Sequence, residues 1–143
     1  MNHNYEWSED LPESCPPEEA YQCNGESFYR RVAGDPACES DFFSHRKRYP
    51  TRIFKVDECQ ARAVSIFSTK KEAEELRKKP PFKNKNTVIA RVTIRPKDGV
   101  VAQTGHNKKH YSWWRTTAYD ISEATILYDN ENNQSKTGTR LLR

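Results

Sequence analysis

The chain is 143 residues long, with 34% hydrophobic and 31% charged side chains, a mean hydropathy of −1.04 and a formal net charge of +4. That length suits a single domain, and no run approaches the roughly 20 consecutive apolar residues of a membrane helix. All 24 lysines and arginines lie from Arg30 onward, whereas the carboxylates between Glu6 and Glu26 precede every one of them, so an acidic leader stands before a basic body that suits a negatively charged partner.

Residues 1–24 hold three prolines and read as an acidic, largely flexible leader. Residues 25–129 read as one α+β domain, and 130–143 as a flexible polar and basic tail. The first strand falls at 27–33, "SFYRRVA", where alternation sends one arginine to each face. A helix is expected next, with Asp35 as N-cap, Pro36 at its first position, "HRKR" at its C-terminus and Pro50 as its stop. "RAVSIF", 62–67, is a second short strand. The helix after it opens with Thr69 and Glu72 at capping-box spacing and ends at Pro80-Pro81.

"NTVIARVTIRP" alternates Val88, Ala90, Val92 and Ile94 against Arg91, Thr93 and Arg95, the pattern of a half-exposed strand. "PKDG" reads as a turn and "VVAQT" as the hairpin partner of that strand. "GHNKKHYSWWRTT", 105–117, reads as a loop, and "ATILYD", 124–129, as the last strand. The order predicts an α+β fold: a single domain with a mixed, mostly antiparallel sheet and two surface helices.

Four cysteines, Cys15, Cys23, Cys38 and Cys59, form no CxxC pair. The acidic start lacks the apolar run of a secretory signal. Free thiols in a cytoplasmic setting are therefore expected, with no metal site. There is no phosphate-binding GxxxxGK[ST] loop, no GxGxxG and no HExxH.

Four places carry candidate chemistry. Arg30 or Arg31 must enter the buried face of its strand, where a guanidinium needs a carboxylate or a phosphate; the alternatives are an anion-gripping cleft or an internal salt bridge. Ser68 and Thr69 lead into a helix N-terminus, which either receives an anion or is simply capped. "HRKRYPTRIFK", 45–55, interleaves cations with Tyr49 and Phe54, as a surface for phosphates and stacked bases does. In 105–117, His106 and His110 offer acid–base groups, Tyr111, Ser112 and Thr116 offer hydroxyls, and Trp113-Trp114 offers a stacking wall. That loop either contacts a ligand or packs as a lid.

The order "NGESFYRRV", "DFFSH", "ARAVSIFSTKKEA", "IARVTI", "HYSWW" resembles a widespread set of small bacterial proteins over residues 24–114. It is also similar to toxin-type ADP-ribosyltransferases and RES-domain proteins, which begin with an Arg-bearing strand and later run a Ser/Thr-bearing strand into a helix with acidic residues. This second resemblance implies that Arg30 grips the pyrophosphate of NAD, that Ser68 or Thr69 lines the nicotinamide pocket, and that Glu72 or His110 supplies the catalytic polar group. The chain departs from those families in having no late catalytic Glu motif; Glu123 sits in no such context.

The leading expectation is a small cytoplasmic binding module that spans no membrane. A basic, aromatic-lined cleft built from Arg30, Arg91, His106, His110, Tyr111, Trp113 and Trp114 would hold a phosphate-bearing ligand, a nucleotide or nucleic acid, without a cofactor. The alternative is an NAD-consuming enzyme, with Arg30, Ser68, Glu72 and His110 as candidate catalytic residues and NAD as its substrate. A third reading is a protein-interaction partner, such as an antitoxin or inhibitor, that buries Trp113-Trp114 and the leader against another protein.

Overall fold

The computed structural model describes residues 5–80, 82–83 and 85–128, so the expected tail, 130–143, lies outside the described residues. The elements in chain order are β1 (Tyr21–Gln22), β2 (Glu26–Val32), α1 (His45–Arg48), α2 (Glu58–Ala61), β3 (Val64–Phe67), α3 (Lys70–Arg77), β4 (Val88–Ile94), β5 (Gly99–Gln103), β6 (His110–Arg115) and β7 (Thr125–Leu127). The strands form one sheet in the order β1-β5-β6-β3-β2-β4-β7, and every pairing is antiparallel. The fold is α+β, as the sequence pattern predicts.

The longest ladder joins β2 to β4, from Glu26↔Ile94 to Val32↔Val88. Its alternation buries Phe28, Val92 and Ile94 on one face, where they meet Val64, Ile66, Val101, Trp113 and, from the segment between β2 and β3, Phe42. The opposite face of the β5–β6 hairpin buries Ala102 and Trp114 with Ala63, Trp7, Leu11 and Cys15. β6 is thus apolar on both faces, which is why its two adjacent tryptophans are both buried.

Three local expectations are corrected. The helix predicted from Asp35 to Pro50 is instead a short 3₁₀ turn, Glu39–Phe42, followed by the single turn of α1. Asp41 turns its carboxylate back onto the N–H groups of Ala33 and Cys38, and Ser44 starts afresh by accepting from the Lys47 N–H. Such side-chain bonds to backbone compete with a continuous helix. The strand "VVAQT" does not return along β4. The turn Pro96–Asp98 carries the chain away so that β5 lies between β1 and β6. Gly99 permits this, with φ of 119° and no room for a side chain: a Cβ would stand 2.0 Å from the Trp114 carbonyl oxygen. Finally, 105–117 is half turn and half strand, and β6 occupies 110–115.

The expected leader contacts the sheet at several points, although Glu6, Asp10, Glu13, Glu18 and Glu19 stay exposed. Trp7 bridges Thr116, Ser8 N–H donates to the Arg115 carbonyl at 3.0 Å, and β1 pairs with β5. Cys15 and Cys59 are joined by a disulfide, with Cα atoms 5.6 Å apart. Among the described residues, Cys23 is free and buried and Cys38 is free and exposed. The expectation of four free thiols is therefore corrected for two of them: folding the leader onto α2 brings Cys15 to Cys59, a proximity invisible at a sequence separation of 44.

Candidate functional site

β2 and β3 share a single rung, Tyr29↔Phe67. Two residues further along β3, where Ser65 would offer its carbonyl to the next rung, the guanidinium of Arg30 takes it instead: Nη1 donates to Ser65 O at 2.6 Å and Nε to Asp41 O at 2.8 Å. The sheet parts at this point, and the segment between the two strands closes over the gap. Arg30 Nη2 makes no hydrogen bond among the described residues, and no carboxylate there pairs with the guanidinium. Burial pushes the Arg30 pKa down to about 10. Arg31, Arg48 and Arg115 push in the same direction, and Asp41 opposes them. The guanidinium is thus desolvated among other cations and held by carbonyl dipoles.

Ser65 also belongs to a side-chain relay. Its Oγ lies 2.5 Å from Nε2 of His110, its diagonal neighbour on β6, since the ladder pairs Ser65 with Ser112 and Phe67 with His110. His110 Nδ1 lies 3.1 Å from both the backbone oxygen and Oγ1 of Thr104, and Thr104 Oγ1 lies 2.9 Å from Ser112 Oγ. A backbone oxygen can only accept, so Nδ1 carries the proton and Nε2 of the neutral ring is left to accept from the Ser65 hydroxyl. Burial lowers the His110 pKa, with the Thr104 carbonyl acting against it, which favours the neutral ring near pH 7.

Cations surround this point. Arg31 stands two residues past the Tyr29↔Phe67 rung on β2, as Ser65 does on β3. Arg31 Nε is buried without a hydrogen-bond partner, and its guanidinium lies 3.9 Å from the centre of the Phe82 ring. Burial lowers the pKa of His45, and the charges of Arg30, Arg48, Arg52 and His110 lower it further, so α1 lies within the field of the split. The aromatics of 45–55 are already taken: Arg52 covers Tyr49 at 3.9 Å, while Arg46 and His45 pack on Phe54. Arg46 itself is consumed by Glu58 and by the carbonyls of Pro50 and Arg52. Arg48 in turn donates through Nη2 to the Ser40 carbonyl and lies over the Phe43 ring.

Of the residues singled out from sequence, Arg30 and His110 both contact Ser65, Arg30 at its carbonyl from one face of the sheet and His110 at its hydroxyl on the other. Ser68 extends the β3–β6 ladder through its N–H, which donates to Lys109 O at 2.9 Å. Thr69 caps α3 by accepting from the Glu72 N–H. The Glu72 carboxylate accepts from Asn107 Nδ2 at 2.9 Å, tying α3 to the β5–β6 turn instead of closing a capping box. Arg91 shares a face with Arg31 but stands beyond β2, in register with Tyr29 and Thr125. His106 is exposed in the turn, and Tyr111 packs edge-on against Phe28.

Trp113 and Trp114 form no stacking wall. They are 0% and 2% exposed, and their indole N–H groups donate to Asp98 O and Cys59 O. Neither is free to bury against another protein. Ser65 and Thr104 were missed: a serine between Val64 and Ile66 carries no local signal, although it is the one polar break in that apolar run. A separate open cavity of about 280 Å³, lined by Trp7, Ser8, Glu9, Asp10, Lys47 and Arg62, holds neither Arg30 nor His110. Glu9 in it is committed to the Ser44 N–H and hydroxyl. No protein family, no curated protein and no solved structure matches the chain.

Proposed function

We propose that the chain binds a phosphate-bearing ligand, such as a nucleotide or a nucleic-acid phosphate, where β2 and β3 part. The observation that carries this reading is Arg30, a desolvated guanidinium with an uncommitted Nη2, no carboxylate partner and Arg31 and Arg48 close enough to depress its pKa. A phosphate there offers the charge and the acceptor geometry that the two backbone carbonyls lack. Arg48 and Arg52 supply the outer field. The leading reading from sequence is kept, with its contact set changed: the tryptophans leave it, and Arg31, Arg48 and Ser65 enter.

The test is thermal unfolding of the full chain with ADP, NAD and pyrophosphate, because a ligand that binds only the folded state raises its stability. At least one of them should raise the melting temperature, the rise should shrink between about 50 and about 200 mM salt, and Arg30→Met should abolish it. No shift with any phosphate compound, or a shift indifferent to salt and to Arg30→Met, sinks the reading.

A second reading, an enzyme that consumes NAD, is favoured by one observation: the neutral His110–Ser65 pair includes the residue whose carbonyl Arg30 grips. It predicts nicotinamide release from NAD, lost in His110→Ala. Among the described residues no helix is long and apolar enough to cross a membrane. The Cys15–Cys59 bond fits an oxidising compartment better than the reducing cytoplasm expected from sequence.

A further inference from the structure

We propose that Ser65 is a nucleophile, activated by His110, that attacks the phosphorus of a phosphate ester bound at the β2–β3 split. This deepens the phosphate-binding reading and rests on it for the choice of electrophile. Serine hydroxyls are weak nucleophiles until a base takes their proton at the moment of attack, and the base must be neutral, in contact and held in one tautomer. All three conditions are met. Ser65 Oγ and His110 Nε2 are in contact at 2.5 Å. Nδ1–H is fixed by the Thr104 carbonyl, so Nε2 is the free acceptor. Thr104 Oγ1, itself bonded to Ser112, holds the far side of the ring.

The relay joins three adjacent strands, since Ser65 lies on β3, His110 and Ser112 on β6, and Thr104 just beyond β5. Its geometry is therefore set by ladder register and not by a loop. One guanidinium shares the face of the nucleophile, that of Arg31, which stands two residues past the Tyr29↔Phe67 rung and has a buried, unpartnered Nε; Arg30 meets the Ser65 carbonyl from the opposite face. Charge that builds on the non-bridging oxygens of a phosphorus centre needs donors of this kind.

The step balances without any co-reactant but water. Ser65 Oγ forms a bond to phosphorus while the bond from phosphorus to the leaving oxygen breaks. The Oγ proton passes to His110 Nε2 and from there to the leaving oxygen, releasing an alcohol and leaving a phosphoseryl ester. Water then attacks that ester with His110 again as base. Its oxygen bonds to phosphorus, the Oγ–phosphorus bond breaks, and the proton held on Nε2 returns to Ser65.

The probe is diisopropyl fluorophosphate, an uncharged phosphorus electrophile that needs no arginine to bind. After treatment of the full chain, intact mass should show one diisopropylphosphoryl group, and peptide mapping should place it on Ser65. His110→Gln, shown to be folded by circular dichroism, should label at least about 100-fold more slowly, the usual scale of general-base assistance. Should that variant fail to fold, the mapped residue in the unaltered chain decides by itself.

Label elsewhere, no label, or equal labelling in His110→Gln overturns the proposal. The two readings fail separately. A chain that binds ADP or pyrophosphate but leaves Ser65 unlabelled keeps its ligand and loses the nucleophile. A chain that labels Ser65 and binds no phosphate compound keeps the nucleophile and loses the phosphate ester as its substrate.

Discussion

Arg115 and Arg30 are strand arginines on the same face of one sheet, close enough for the charge of Arg115 to lower the pKa of Arg30, yet their surroundings differ in kind. Arg115 has a carboxylate: its Nη2 meets Glu39 Oε2 at 2.6 Å, with the arginine side chain 3% exposed and the glutamate 57% exposed, and its guanidinium lies over Phe42. Arg30, two residues along the same segment at Asp41, has only carbonyl oxygens. The acid whose charge acts on it, Asp41, spends both oxygens on the N–H groups of Ala33 and Cys38. The first region is a closed pair that holds the fold. The second is an open valence that the fold tolerates. A guanidinium on a buried strand face is thus not functional or structural by type; the allocation of neighbouring carboxylates decides it.

The largest effect that would break the comparison comes from Glu39→Ala. It leaves a nearly fully buried Arg115 without its counter-charge, and Arg115 Nε already lacks a partner. The cost expected for stranding such a charge is about 3 kcal/mol, read as a lowered midpoint in urea unfolding. Phosphate binding by the remaining folded chain should persist. A midpoint unmoved by Glu39→Ala would make the pair an ordinary surface contact and remove half of the contrast.

Arg30→Met should do the reverse. It takes away a desolvated charge and its repulsion from Arg31 and Arg48, and it costs the Asp41 and Ser65 carbonyls one donor each. These contributions oppose one another, so stability should stay within about 1 kcal/mol of the parent chain while phosphate binding disappears. A loss as large as that of Glu39→Ala would mean that Arg30 is also a structural group.

How far this was legible in sequence follows the range of each interaction. The alternation in "NTVIARVTIRP" marked β4, and the cap at Thr69 marked the start of α3, because both are set within a few residues. Strand partners were not legible. "PKDG" reads as a hairpin turn, but Asp98 accepts from the Arg95 N–H and Gly99 presses against the Trp114 carbonyl, which sends β5 to β6 instead of β4. Everything at the site depends on that choice. Once β6 lies between β5 and β3, His110 becomes the diagonal neighbour of Ser65, and Trp113 and Trp114 turn into two cores. Arg30 was legible as an arginine needing an anion; that Asp41 would be spent on backbone, leaving it without one, was not. Ser68 and Thr69 stand before a helix, a place with a local signature, whereas the role of Ser65 is fixed only by register.

The smallest effect separates the two regions by pH. The split carries His45 and His110, both with pKa values lowered chiefly by burial from 6.5, whereas the groups around Arg115 are a carboxylate and a phenyl ring. A histidine that is harder to protonate when folded gives the unfolded chain more bound protons between the lowered folded value and 6.5. Unfolding free energy therefore rises with pH through that window, and stability falls as pH drops below 6.5 towards the folded values. The full chain should lose stability on mild acidification from pH 7, and His110→Gln should flatten part of that slope. Glu39→Ala should shift the whole curve down without changing its shape across the same window. Bound phosphate should flatten or reverse the response if it sits beside the histidines, because a protonated imidazole next to an anion is stabilised in the folded state and the sign of the histidine contribution then turns. A curve measured with saturating pyrophosphate that holds up under mild acid, beside one that falls without it, locates the anion at the split; identical shapes place it elsewhere.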